Sequence, residues 1–293
     1  TNTYDEVHAV DYLEKQRIEL AKLRAAKTGS SQFTPRFILP LNETINISDS
    51  LPAPTSNTPG VFVVTDDDAD QKLFLLLDRD VFDGSGNANN GTITGTETYV
   101  AASIISPNKY PIAFDFNGST DITIANETQF DFERTTAFSI SFWAKWTTAS
   151  AMILVSKMTA IANIGYEIGT SSTGQIRIRL INTATTNEID LITTPTYKDG
   201  LWRHFVFTKS TASNAAGCKL YVDNSQVTLT ITTDNLTATI LNNIQLVVGA
   251  YDGGTARFTG QMFDCQVWDV ELTSTDVTDL FAGKQITKIT NGG

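Results

Sequence analysis

Tyr251-Asp252-Gly253-Gly254-Thr255-Ala256-Arg257 places an aromatic face, a carboxylate and a guanidinium in one short loop. Such a trio can stack on a sugar ring and hydrogen-bond its hydroxyls. Tyr251, Asp252 and Arg257 are therefore the candidate ligand-binding residues, with a plain solvent loop as the competing reading. Asp66, Asp68 and Asp70 alternate as in a calcium loop, but Gln71 stands where that loop needs Gly and Leu77 where it needs Glu. A solvated acidic turn is expected there. His8 falls in a helical pattern and His204 in the middle of a strand pattern, and no nucleophile elbow accompanies them. No catalytic residue is assigned. Cys218 and Cys265 both sit inside strand patterns and read as buried small hydrophobes, with one buried disulfide as the alternative.

The elements that position these groups follow from composition. The 293 residues are 41% hydrophobic and only 18% charged, and Thr, Asn, Ser, Ile and Val are abundant, a mix that favours strands and polar loops. A net charge of -11 repels nucleic acid backbones and anionic membranes, so neither is expected as a partner. The chain shows no apolar leader and no apolar run of about 18 residues, so neither a signal peptide nor a membrane span is expected.

Residues 5–27 carry the one good helical pattern. Asp5 and Glu6 load its start, Lys22, Arg24 and Lys27 its end, and Gly29 stops it. Its narrow stripe of Val10, Leu13, Leu20 and Leu23 suits an anchor or an oligomer seam over residues 1–28. Pro35, Pro40, Pro52, Pro54 and Pro59 then punctuate an extended arm over 29–72. From 73 to 285 the pattern is almost wholly short strands separated by Gly, Asn, Asp, Ser or Thr, ending in one brief helix before Phe281 and a tail over 286–293. Strands this numerous without interleaved helices require a sandwich or barrel.

Several pieces in order resemble one family. They are Asp83-Gly84-Ser85-Gly86-Asn87, Phe114-Asp115-Phe116-Asn117-Gly118, Phe138-Ser139-Ile140-Ser141-Phe142-Trp143, Trp202-Arg203-His204, Leu220-Tyr221-Val222-Asp223, and Gly260 through Trp268. Together they are similar to laminin G-like, concanavalin A-like lectin and glucanase jelly rolls. The resemblance implies an all-β fold, a two-sheet antiparallel jelly-roll sandwich, here preceded by the N-terminal helix and arm. Trp143, Trp202, Phe205, Tyr221 and Trp268 are expected to fill the layer between the sheets. The resemblance also implies rim loops that bind glycans or proteins, and a calcium ion as the one candidate cofactor, with Asp83, Asp121 and Asp252 at the matching positions. Glucanases of this fold carry Glu-x-Asp-x-Glu or Glu-x-Asp-x-x-Glu on a strand. Glu188 and Asp190 fit its first two positions, but Ile192 and Thr193 replace the acid/base, so no enzyme activity is expected.

The expectation is a non-enzymatic structural or binding protein of a larger assembly. Decoration, head-fibre and tail proteins at the surface of viruses and phages look like this, anchored to other subunits through residues 1–65 as an oligomer and able to bind host glycans. The alternative is a carbohydrate-binding or adhesion module at a cell surface.

Overall fold

The computed structural model describes residues 70–102, 112–125, 127–160 and 164–283. The expected helix over 5–27, the arm up to residue 69, the acidic run at 66–68, His8 and the tail over 286–293 lie outside the described residues.

Two antiparallel sheets of eight strands enclose one core. The first sheet runs β13 (Ser225–Val227), β12 (Cys218–Val222), β11 (Arg203–Lys209), β6 (Phe138–Lys145), β16 (Thr259–Trp268), β4 (Ile112–Asn117), β3 (Tyr99–Ala101). Strand β1 (Gln71–Leu75) pairs with the second half of β16, beyond the end of β4. The second sheet runs β14 (Leu229–Asp234), β10 (Asn187–Thr196), β9 (Gln175–Thr183), β8 (Gly165–Thr170), β7 (Ile153–Lys157), β15 (Leu246–Val248), β5 (Asp121–Ile124), β2 (Gly91–Thr94). This is the expected jelly-roll sandwich. The first strand stops at Leu75: Leu77 turns to a φ of 61° and the Leu76 carbonyl is taken by the Asp264 amide.

Period-two alternation sets the layers. In β6, Phe138, Ile140, Phe142 and Ala144 are buried in the core cluster, and Phe142 packs on Phe205 of β11 with centroids 5.6 Å apart. Trp143 therefore points the other way. Trp143, Tyr221 and Trp268 lie on the outer face of the first sheet rather than between the sheets, a correction to the expectation that holds for Phe205. They are buried all the same, because helix α1 (Ser274–Phe281) lies over them. Its Val277 and Leu280 pack with Val206, Tyr221 and Trp268, and Phe281 stacks on Trp143 at 5.6 Å and 16°. A capping box starts this helix: the Thr273 side chain accepts from the Asp276 amide, and the Asp276 side chain accepts from the Thr273 amide. His204 stacks beneath on Trp143 at 5.0 Å, and its Nε2 is 2.9 Å from Ser141 Oγ. Burial lowers its pKa to about 3, so it is neutral structure. Cys218 and Cys265 are free and buried, and burial pushes the Cys218 thiol up to about 12.

Candidate functional site

The loop named by sequence is closed in on itself. Tyr251 is 9% exposed. Its hydroxyl donates to Glu167 Oε2 and accepts from Arg179 Nη2, while Arg179 Nε donates to Glu167 Oε1 at 2.7 Å. Burial and Glu167 raise the Tyr251 pKa; burial disfavours the Arg179 charge, but the Glu167 bond outweighs it and raises that pKa as well. Arg257 binds Asp121 Oδ2 through Nε at 2.9 Å and Nη2 at 2.8 Å. Asp252 is tied by its backbone amide to the Met158 carbonyl. The structure thus brings Arg257 to Asp121 and Tyr251 to Arg179, and it leaves no open aromatic face for a sugar at Tyr251.

The three calcium candidates do not converge. Asp83 accepts from the amides of Phe74, Ser85 and Asn89, each at 2.9 Å, and from Ser85 Oγ at 2.8 Å. Its oxygens organise the first loop, and Asp121 is engaged by Arg257. Among the described residues no group of three or more His, Cys, Asp or Glu could hold a metal ion. The residues do not fit calcium. Of the glucanase-like pair only Asp190 is locked: it takes Arg177 Nε at 2.9 Å and Nη2 at 2.6 Å, while Glu188 Oε2 is buried and accepts no hydrogen bond among the described residues, and Thr193 Oγ1 donates to the Pro195 carbonyl.

An open constellation lies elsewhere, on the outer face of the first sheet. Its strand order sets Asp115 of β4 opposite Gln261 of β16, and Gln261 opposite Lys145 of β6. Trp202 precedes β11, whose Arg203 pairs with Ala144, so the indole continues the row beside Lys145. Gln261 Nε2 donates to Asp115 Oδ1 at 3.3 Å, a long bond. Gln261 Oε1 is buried and accepts no hydrogen bond among the described residues. The Lys145 ammonium lies 5.2 Å from the centroid of the Trp202 ring and makes no ion pair among the described residues. Phe263 meets the indole edge-on at 5.0 Å and 67° and so fixes its tilt. Gly260 lets β16 approach: a Cβ there would collide with the Lys145 carbonyl and the Phe258 ring.

Beside this row runs a groove of about 340 Å³ lined by Asp115, Asn117, Lys145, Thr147, Thr259 and Gln261. A larger groove, about 440 Å³, opens where β13 and β14 end the two sheets. No aromatic ring lines it, so it offers a sugar no stacking platform. The first groove was not anticipated from sequence; Trp202, read there as core, does not line it but stands beside it through Lys145, which does.

Residues 116–278, more than half of the chain, match the laminin G family model described as the concanavalin A-like lectin/glucanases superfamily. No curated protein matches. Similar solved structures include the binding domain of Paraclostridial Mosquitocidal Protein 1, at 18% identity and a TM-score of 0.58 over 73% of this chain and 52% of that one. The binding domain of Botulinum neurotoxin DC in complex with rat synaptotagmin II gives 15%, 0.53, 74% and 52%. Domain 4 of AbnA, a GH43 extracellular arabinanase from Geobacillus stearothermophilus, in complex with arabinotriose, gives 18%, 0.50, 72% and 98%. The chain spans about half the length of the two toxin domains. Two antiparallel sheets, their ordered turn and strand signatures and this match agree: the chain belongs to the concanavalin A-like lectin/glucanases superfamily, as a laminin G-like jelly roll.

Proposed function

We propose that this jelly roll is a non-enzymatic saccharide-binding module whose site is the row Asp115, Gln261, Lys145 and Trp202. The observation that carries it is the combination of a half-buried indole with three polar groups that leave bonding capacity unused. Trp202 supplies a face for the apolar side of a sugar ring. Gln261 Oε1 and Asp115 accept from hydroxyls, and Lys145 donates to a ring or hydroxyl oxygen. An unmet buried acceptor costs free energy that a ligand hydroxyl restores. The arabinotriose in the arabinanase domain and the binding-domain roles of the toxin structures support a binding reading for this fold. A glycan array probed with the full chain and with Trp202→Ala tests it: wild-type binding lost in the variant is expected, and binding that survives Trp202→Ala overturns the site.

The wider role follows from the margins of the chain. The amphipathic stripe and proline-rich arm in residues 1–65 favour an oligomeric component of a larger assembly, such as a virion surface protein displaying the jelly roll. A cell-surface adhesion module is the second reading. Sedimentation of the full chain against a form lacking residues 1–65 distinguishes them: an oligomer that falls to monomer is expected, and two monomers sink the assembly reading.

A further inference from the structure

Lys157, at the end of β7, is 1% exposed. Its Nζ donates to Asp131 Oδ1 at 2.6 Å, to the Asn242 carbonyl at 2.9 Å and to Asn242 Oδ1 at 3.2 Å. Asn242 is fixed from its other sides. Its Nδ2 donates to the carbonyls of Lys157 at 3.0 Å and Ile164 at 2.8 Å, and its Oδ1 also accepts the Ile244 amide at 2.8 Å. Gly165 packs so closely here that a Cβ would strike both the Lys157 carbonyl and Asn242 Nδ2. The buried Tyr166 hydroxyl donates to the Phe130 carbonyl next to Asp131, and burial, then Asp131, raises its pKa.

A structural ion pair needs only Lys157 and Asp131. The carboxamide adds what an acyl transfer requires: an amine against an amide whose carbonyl oxygen is held by a backbone N–H, with a carboxylate on the amine to move protons. We propose that Lys157 and Asn242 join in an intramolecular amide bond with loss of ammonia. Asp131 takes a proton from the Lys157 ammonium, and the Nζ lone pair adds to Cγ of Asn242. The carbonyl electron pair moves onto Oδ1, facing the Ile244 amide. Asp131 passes its proton to Nδ2 and takes one from Nζ. The Cγ–Nδ2 bond then breaks, and ammonia leaves with the remaining proton as ammonium. The Nζ–Cγ amide remains, and no outside reactant is consumed. The bond would staple β7 to the connection between β14 and β15, and it stands independently of saccharide binding.

Intact-mass measurement of the folded full chain tests this. The expected mass is below the sequence mass by one ammonia, about 17 Da, with a branched tryptic peptide joining Lys157 to Asn242. Lys157→Arg keeps the cation and should restore the full sequence mass. A succinimide elsewhere gives the same deficit, but without the branched peptide and still present in Lys157→Arg. Wild-type protein at its full sequence mass, or a deficit that persists in Lys157→Arg, overturns the proposal.

Discussion

On the second sheet, Glu167, Arg179 and Tyr251 close a ring of hydrogen bonds, and Arg257 closes on Asp121. On the first sheet, Asp115, Gln261, Lys145 and Trp202 stand in a row with one long hydrogen bond and a cation over a ring. Both faces hold a carboxylate, a cation and an aromatic. The difference is saturation: on the second sheet the groups answer each other, and on the first Gln261 Oε1 accepts no hydrogen bond among the described residues. Residue type therefore marks a site poorly, and unsatisfied bonding capacity in an accessible groove marks it better.

The comparison breaks first if the ring on the second sheet is not structural. Glu167→Ala leaves the Arg179 guanidinium, mostly buried, without its carboxylate. Losing one partner of such a pair should cost about 3–5 kcal/mol in urea unfolding. Saccharide affinity of the protein that remains folded should not change. Unfolding that moves by less than about 1 kcal/mol would remove the claim that this face is self-satisfied.

The closed half of the first sheet gives the next largest effect. His204 has a folded pKa of about 3, lowered by burial from the ordinary histidine value of 6.5. Between those values the unfolded state binds the extra proton, so stability falls as pH drops, by about 1.4 kcal/mol per pH unit at most. His204→Gln can still meet Ser141 and cannot titrate. Urea midpoints at pH 7 and pH 4 should therefore converge more in the variant than in the wild type. An unchanged gap would mean that the stack under Phe281 admits the proton.

Trp202→Ala separates binding from folding on the open half. An aromatic anchor of a small site should be worth about 2 kcal/mol, roughly a thirtyfold loss of affinity in calorimetric titration with the best array hit. The indole is only partly buried, so the loss of stability should be smaller than for any residue beneath α1.

The sandwich was legible because alternation is local. Phe138, Ile140 and Phe142 announce a core face within five residues, and Gly260 marks a close strand approach. Which face Trp143 takes was equally fixed by Phe142, yet its burial depends on α1, more than a hundred residues later. The open row was illegible for the same reason: Asp115 and Gln261 are 146 positions apart, and only the order β4, β16, β6, β11 makes them neighbours of Lys145 and Trp202. The loop from Tyr251 to Arg257 attracted notice by being contiguous. Contiguity through Gly253 and Gly254, both at positive φ, is what folds it back onto its own sheet.

The smallest effect is the sharpest test of the open face. A sugar that stacks on Trp202 must move the Lys145 ammonium off the ring, at a cost of about 0.5–1 kcal/mol. If the ammonium then donates to a sugar oxygen, it recovers about 1.5–3 kcal/mol. Lys145→Met removes both terms while keeping the apolar stem, so affinity should fall by about 1 kcal/mol, roughly fivefold. Stability should stay within about 0.5 kcal/mol, since Lys145 makes no ion pair among the described residues. Tighter binding by Lys145→Met would show that the ammonium only competes for the ring. The row would then be partly self-satisfied, like the face of the second sheet, and its polar recognition would rest on Asp115 and Gln261 alone.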